Sequence, residues 1–209
     1  MLELGHATIT KIRLIKNAIP ISTTNELYLV AFMKILLVGN GAREHAIAEK
    51  IAAEAELYTI MSKKNPAIAS LSKEFWICDI CDPQKIVECV RGKEIDIGFA
   101  SPDAVLAAGV SDALADAGIL TASPTKAAAR IEWDKGYMRT LMRNYKINGV
   151  PKFEIVGSED DAKRIMRDYG EVAIKPLGLT GGKGVKISGD HFTTIEEAAE
   201  QWFRANVMV

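Results

Sequence analysis

Apolar positions along the chain fall into short runs and helical stripes that alternate. Residues 34–38, KILLV, form a short, mostly apolar run followed by glycine, the pattern of a buried strand. From about Ala42 to Ala55, Ile47 and Ile51 sit one turn apart while Glu49, Lys50 and Glu54 point elsewhere, which predicts a helix. LYTIM at 57–61 and FWIC at 75–78 read as a second and a third strand. Asp82-Pro83 then supplies an N-cap and a first-turn proline for a helix carrying Ile86, Val87 and Val90, which Gly92 stops. IDIGFA at 95–100 is a fourth strand, 103–117 a helix with Leu106, Val110 and Leu114 on one stripe, and ILTA at 119–122 a fifth strand. Such alternation predicts an α/β fold, a parallel sheet with helices on both faces. Ligands of such sheets gather beyond the carboxyl ends of the strands, which places Gly39–His45, Ala100–Asp103 and Ala122–Thr125 on one rim.

After Pro124 the pattern changes. Helices are expected at about 125–131 and 134–144, then a break at Gly149-Val150-Pro151 and a strand FEIV at 153–156. Ser158 with Asp161 resembles a capping box for a helix over 159–169, and Thr194 with Glu197 opens one that reaches Phe203. EVAIK at 171–175 and GVKIS at 184–188 read as strands joined by Pro176–Gly184, PLGLTGGKG. A domain boundary is therefore expected near 124–134, giving one domain over 33–124 and another over 125–209. Residues 1–32 show no clear periodicity and are expected to be a disordered arm or an over-extended start.

The composition changes this picture little. The 209 residues are 48% hydrophobic and 25% charged, with a formal net charge of −1. That is ordinary globular composition and gives no electrostatic argument for a nucleic-acid or membrane partner. Without a spanning stretch or a signal-peptide pattern, a cytoplasmic location is the default expectation. The cysteine count of 3 is odd and favours a reducing compartment over a disulfide scaffold. Cys78 and Cys81 form a CxxC, which reads as a metal or redox pair or as two small buried residues at a strand end. With no second CxxC and the histidines scattered, the second reading is preferred.

Candidate chemistry gathers at two glycine turns. Gly39-Asn40-Gly41 follows a strand and opens a helix, where backbone amides attract anions, phosphate above all. A dinucleotide fingerprint is excluded: Glu44 stands where the third glycine of G-x-G-x-x-G would be, and Ser62–Asn65 offer no acid for a ribose diol. Arg43 can grip a phosphate or carboxylate through two parallel bonds, and Glu44 with His45 can orient a hydroxyl or an amine. The second turn, Thr180-Gly181-Gly182-Lys183-Gly184, lacks P-loop spacing but can fold its amides over a triphosphate. Lys175 ends the apolar run Val172-Ala173-Ile174 just before it, and a half-buried lysine there needs an anionic partner.

Four blocks, LLVGNGAREHAI, SPDAVLAAGVSDALADAGI, SPTKAAARIEWDKGYMRTLM and IKPLGLTGGKGVKI, resemble glycinamide ribonucleotide synthetase, also called phosphoribosylamine–glycine ligase, from about Met33 to Phe203. The resemblance implies a Rossmann-like, pre-ATP-grasp domain followed by a partial ATP-grasp α+β subdomain. It implies an ATP-dependent ligase of purine synthesis that joins glycine to 5-phosphoribosylamine, with ATP as co-substrate and Mg²⁺ or Mn²⁺ as metal. By the same resemblance, Gly39, Gly41, Arg43, Glu44 and His45 match the amino-terminal signature on the phosphoribosylamine side. Pro102 and Asp103 match a rim turn usually written Gly-Pro-Glu. Lys135 matches a lysine that contacts nucleotide phosphate, Lys175 the lysine of the first ATP-grasp strand, and Gly181, Gly182, Lys183 and Gly184 the flexible phosphate lid.

Ala42, Ser101, Asp103 and Ala122-Ser123-Pro124 depart from the family pattern in ways that bear on fine substrate geometry. Family members are considerably longer, and the metal ligands and most of the glycine site are expected in the part without a counterpart here. A truncated chain is therefore expected, inactive alone or dependent on a polypeptide carrying the remainder. The alternative is a stand-alone phosphoribosyl- or nucleotide-binding module without catalysis.

Overall fold

The computed structural model describes residues 33–181, 183–203 and 207–208. The expectation for residues 1–32 lies outside these, as does Gly182.

Five strands, β1 (Lys34–Val38), β2 (Glu56–Met61), β3 (Glu74–Ile77), β4 (Ile97–Ala100) and β5 (Leu120–Thr121), form a sheet in the order β3-β2-β1-β4-β5. Every pairing in it is parallel; Val38 lies beside Ile60 on one flank and Ala100 on the other. The helices between the strands are α1 (Ala42–Ala52), α2 (Pro66–Leu71), α3 (Pro83–Val90), α4 (Asp103–Ala108) and α5 (Val110–Asp116), with α6 (Lys126–Trp133) following β5. Alternate residues of β1 face opposite layers, as period-two geometry requires. Leu37 packs with Leu57, Met61, Ala48 of α1 and Ile68 of α2. Leu36 and Val38 pack with Tyr58, Ile60, Ile86 of α3, Val105 of α4, Val110 and Leu114 of α5 and Ala129 of α6. Helices thus cover both faces, as the apolar spacing predicts.

Departures from the sequence reading have local causes. The stripe over 103–117 is two helices, because Gly109 adopts φ +90° and ends α4. The helix α2 was not anticipated, although Asn65 caps it by accepting from the amides of Ala67 and Ile68, with Pro66 at its start. That is the same Asn/Asp-Pro signal that marks α3.

A second sheet has the order β7-β6-β8, from β6 (Ala173–Pro176), β7 (Lys186–Ile187) and β8 (Val207–Met208), with both pairings antiparallel. It accompanies α7 (Lys135–Asn144), α8 (Glu159–Tyr169) and α9 (Ile195–Phe203). Its core comprises Val156, Ala162, Ile165, Met166, Ile174, Phe192 and Ala198. The expected strand over 153–156 is absent: Phe153 and Val156 are buried, but only Ile155 forms a bridge. Both expected caps are present, Ser158 accepting from the Asp161 amide and Thr194 from that of Glu197.

Candidate functional site

The strand order of the five-stranded sheet reverses between β1 and β4. Beyond their carboxyl ends lies the crevice where open α/β sheets bind ligands. The loop after β1 and the loop after β4 meet there. Arg43 in the first turn of α1 donates through Nη2 to the Ser101 carbonyl at 3.0 Å, and the same nitrogen lies 4.0 Å from an Asp103 carboxylate oxygen. Pro102 is the N-cap of α4, with Asp103 its first residue. Ser123 reaches the rim from β5: its hydroxyl accepts from the Ala100 amide and donates to the Ala100 carbonyl, terminating β4 as a strand partner would.

Glu44 occupies the centre of this arrangement. It is 4% exposed, and its carboxylate accepts from the Gly41 amide (2.8 Å), the Ser101 hydroxyl (2.6 Å) and Arg43 Nε (3.1 Å). The reaching-back of an N3 glutamate to the N-cap amide is the acidic half of a capping box. The sequence offers Glu44 with His45 to orient a hydroxyl or an amine; in the structure its carboxylate meets the Ser101 hydroxyl, the Gly41 amide and Arg43 Nε and braces the turn. The glycines make room for it. A Cβ on Gly39 would lie 2.6 Å from Glu44 Cγ and 3.0 Å from Pro102 Cγ, and one on Gly41 would lie 2.7 Å from Glu44 Oε2. The Gly41 amide is therefore taken, and the donors left for an anion are the first-turn amides of α1 and the outer edge of Arg43.

His45 stands on the outer side of α1, its Nε2 3.6 Å from Glu49. Asn40 is fixed from β2 and α2: its side-chain oxygen accepts from the Ser62 amide and hydroxyl, and its carbonyl from Asn65. Asn40, Ser62, Ser101 and Ser123 were not predicted as site residues. For Asn40, Ser101 and Ser123 the strand order gave the rim position but not the role, and for Ser62 a polar residue in the loop after β2 was the signal.

Burial pushes the Glu44 carboxyl up, but the hydrogen bonds from Ser101, Arg43 and the Gly41 amide outweigh it and hold the group below its ordinary 4.5. A depressed carboxylate gives stability that is complete above its unfolded value and is lost as pH falls through the folded one. Glu44→Gln is expected to flatten that acid limb below about pH 4.5. Urea titrations of both proteins across pH 3–6 would check this, and parallel acid limbs would refute it.

The second glycine turn lies between β6 and β7. Ile174 and Pro176 are buried, so Lys175 between them points away from the core of its sheet. It is half-buried, and among the described residues its ammonium has no hydrogen-bond or ion-pair partner. Lys135, the first residue of α7, donates from its backbone amide to the Leu177 carbonyl and from Nζ to the Gly178 carbonyl at 2.8 Å. It anchors the start of the loop beside Lys175. Gly181 and Gly184 adopt φ +59° and +90°, and Lys183 is exposed, its amide bonded to the Thr180 carbonyl. The sequence-derived residues thus form two groups. Gly39, Gly41, Arg43, Glu44, Pro102 and Asp103 share the rim of the parallel sheet, with His45 beside them on the outside of α1. Lys135, Lys175, Gly181, Lys183 and Gly184 lie around the β6–β7 turn.

Of the CxxC pair, Cys78 is half-buried and Cys81 is exposed, so they are not the two buried residues that the sequence suggests. Cys78 is pushed up to about 11, chiefly by burial, and among the described residues no three His, Cys, Asp or Glu side chains are grouped to hold a metal ion. No described helix is long and apolar enough to cross a membrane.

A doubly wound parallel sheet followed by a small antiparallel sheet with a glycine turn is the pre-ATP-grasp arrangement at the start of ATP-grasp proteins. Solved structures agree on the fold. N5-carboxyaminoimidazole synthetase from Staphylococcus aureus in complex with ADP superposes with a TM-score of 0.66 at 13% identity, over 88% of this chain and 47% of that one. Phosphoribosylglycinamide synthetase from Anaerococcus prevotii gives 0.56 at 16% identity, over 83% of this chain and 42% of that one. Residues 33–132 match the family described as phosphoribosylglycinamide synthetase, N domain. The phosphoribosylamine–glycine ligase of Methanosarcina acetivorans is 46% identical over 171 residues, covering 80% of this chain and 39% of the relative. That of Methanopyrus kandleri is 43% identical over 173 residues, covering 80% and 38%. The chain thus spans about two fifths of the length of these relatives.

Proposed function

We propose that the chain supplies the amino-terminal part of a phosphoribosylamine–glycine ligase. In that reaction ATP phosphorylates the glycine carboxylate, the amine of 5-phosphoribosylamine attacks the acyl phosphate, and glycinamide ribonucleotide, ADP and phosphate leave. The rim of the parallel sheet holds the sugar phosphate, through Arg43 and the first-turn amides of α1. Glu44 and Ser101 keep that turn in shape without touching the substrate. Lys175 and the amides around Gly181, Lys183 and Gly184 bind the ATP phosphates, where positive charge stabilises the phosphoryl group in transfer. The observation that carries this reading is Lys175, a half-buried cation with no partner among the described residues, on the strand that leads into the glycine turn. The divalent metal that the resemblance implies has no ligand group among the described residues. Its ligands are expected in the part of the relatives that this chain does not match.

The test joins the chain to a polypeptide carrying that remaining part of the relatives. Glycine-dependent ADP formation is expected from the mixture and not from the 209-residue chain alone. Binding of ATP and ribose 5-phosphate without turnover in the mixture would assign a binding module instead. Absence of both binding and turnover would overturn the reading.

A further inference from the structure

A cavity of about 400 Å³ opens where the end of α7 meets the segment 146–153 and the end of α8. It shares no residue with the rim or the β6–β7 turn. Met142, Ile147, Val150, Pro151 and Phe153 make its apolar lining, and Arg143, Lys146 and Lys152 bring positive charge to it. The Arg143 guanidinium lies 4.7 Å over the Phe153 ring, and Lys152 Nζ sits 5.7 Å from the Tyr169 ring centroid. Among the described residues no carboxylate pairs with any of the three cations. The nearby Glu154 is instead met by the Tyr169 hydroxyl at 3.4 Å.

Lys146 carries the argument further. It adopts φ +52°, just past the end of α7, where the Ile147 amide bonds back to the Met142 carbonyl. This is the Schellman position at which glycine is strongly favoured. A lysine there is strained where glycine would not be, so the fold gives up stability to place an ammonium at the cavity. The negative end of the α7 dipole offsets about half a charge. Glu154, held by Tyr169, offsets a further part, and the three cations still leave the cavity positive, suited to an anion.

We propose that this cavity binds a phosphomonoester with an apolar body, of nucleoside monophosphate size, its phosphate held by Arg143, Lys146 and Lys152. The volume fits one such molecule, and the apolar lining with convergent polar groups is how small-ligand sites are built.

The experiment titrates the full chain with AMP, adenosine and inorganic phosphate, read by calorimetry and by amide shifts over 142–153. AMP is expected to bind more tightly than either fragment. Lys146→Gly with Lys152→Gln should weaken AMP at least about tenfold, the loss of charge-assisted hydrogen bonds. Lys146→Gly alone should leave the melting temperature unchanged or raise it, which separates lost binding from lost folding. Lys175→Ala should leave AMP binding at the cavity unchanged, so failure here is distinct from failure of the ATP reading. Absence of AMP-induced shifts over 142–153 at millimolar ligand, or AMP affinity surviving the double change, would overturn the proposal.

Discussion

Gly39→Ala is expected to cost the protein about 3 kcal/mol of folding stability, a large part of the 5–15 kcal/mol typical of a domain. Two effects combine. At φ +138° an L side chain is strained, which costs about 1–2 kcal/mol. The new methyl would also sit 2.6 Å from Glu44 Cγ, with Pro102 Cγ at 3.0 Å closing the other side. Glu44 must then withdraw and leave the Gly41 amide, the Ser101 hydroxyl and Arg43 Nε without their acceptor, a loss of about 1–3 kcal/mol. A double-mutant cycle isolates the second effect. Gly39→Ala and Glu44→Ala each dismantle the same brace, so the double variant should lose clearly less than the sum of the single losses. Urea denaturation of the four proteins is the measurement. Additive losses, or a Gly39→Ala cost below about 1 kcal/mol, would show that Glu44 does not hold this turn.

That brace also shows how far the sequence could be read. The parallel sheet was legible because each strand ends in a turn signal and each helix carries a stripe: KILLV before Gly39, Asp82-Pro83 before α3, Leu114 on α5. The placement of Gly39 and Arg43 at a rim followed from that order. The role of Glu44 did not. A glycine-rich turn before a helix looks the same whether its space is kept for a phosphate or for the protein's own carboxylate. The glutamate at N3 was the available hint, a capping pattern with glycine in place of serine. The 153–156 segment misled for the opposite reason. Its β-branched residues suit a strand, but local preference makes one only where a neighbouring strand offers a hydrogen-bonded edge, and here that edge extends to Ile155 alone. Lys175 was legible because its oddity is chemical: a lysine in an apolar run stands out without knowledge of its neighbours.

Lys175→Ala is expected to weaken ATP binding by this chain about tenfold to a hundredfold, the range for losing a charge-assisted contact to phosphate. Lys175→Arg should recover part of the loss, since charge is kept but the point-like ammonium becomes a wider fork. The unliganded protein should respond in the opposite sense. A half-buried ammonium without a partner carries a desolvation cost that folding must overcome, so the alanine variant should melt at the same temperature or higher. With saturating ATP the order reverses, because the ligand stabilises only the protein that binds it. Thermal melts with and without ATP, beside calorimetric titrations, separate the two contributions. A lysine that merely ends an edge strand would leave affinity within about twofold and the ligand-induced rise in melting temperature intact. A lysine kept for a phosphate destabilises the empty protein and stabilises the loaded one, and that crossing of the melting curves is what a purely structural residue cannot produce.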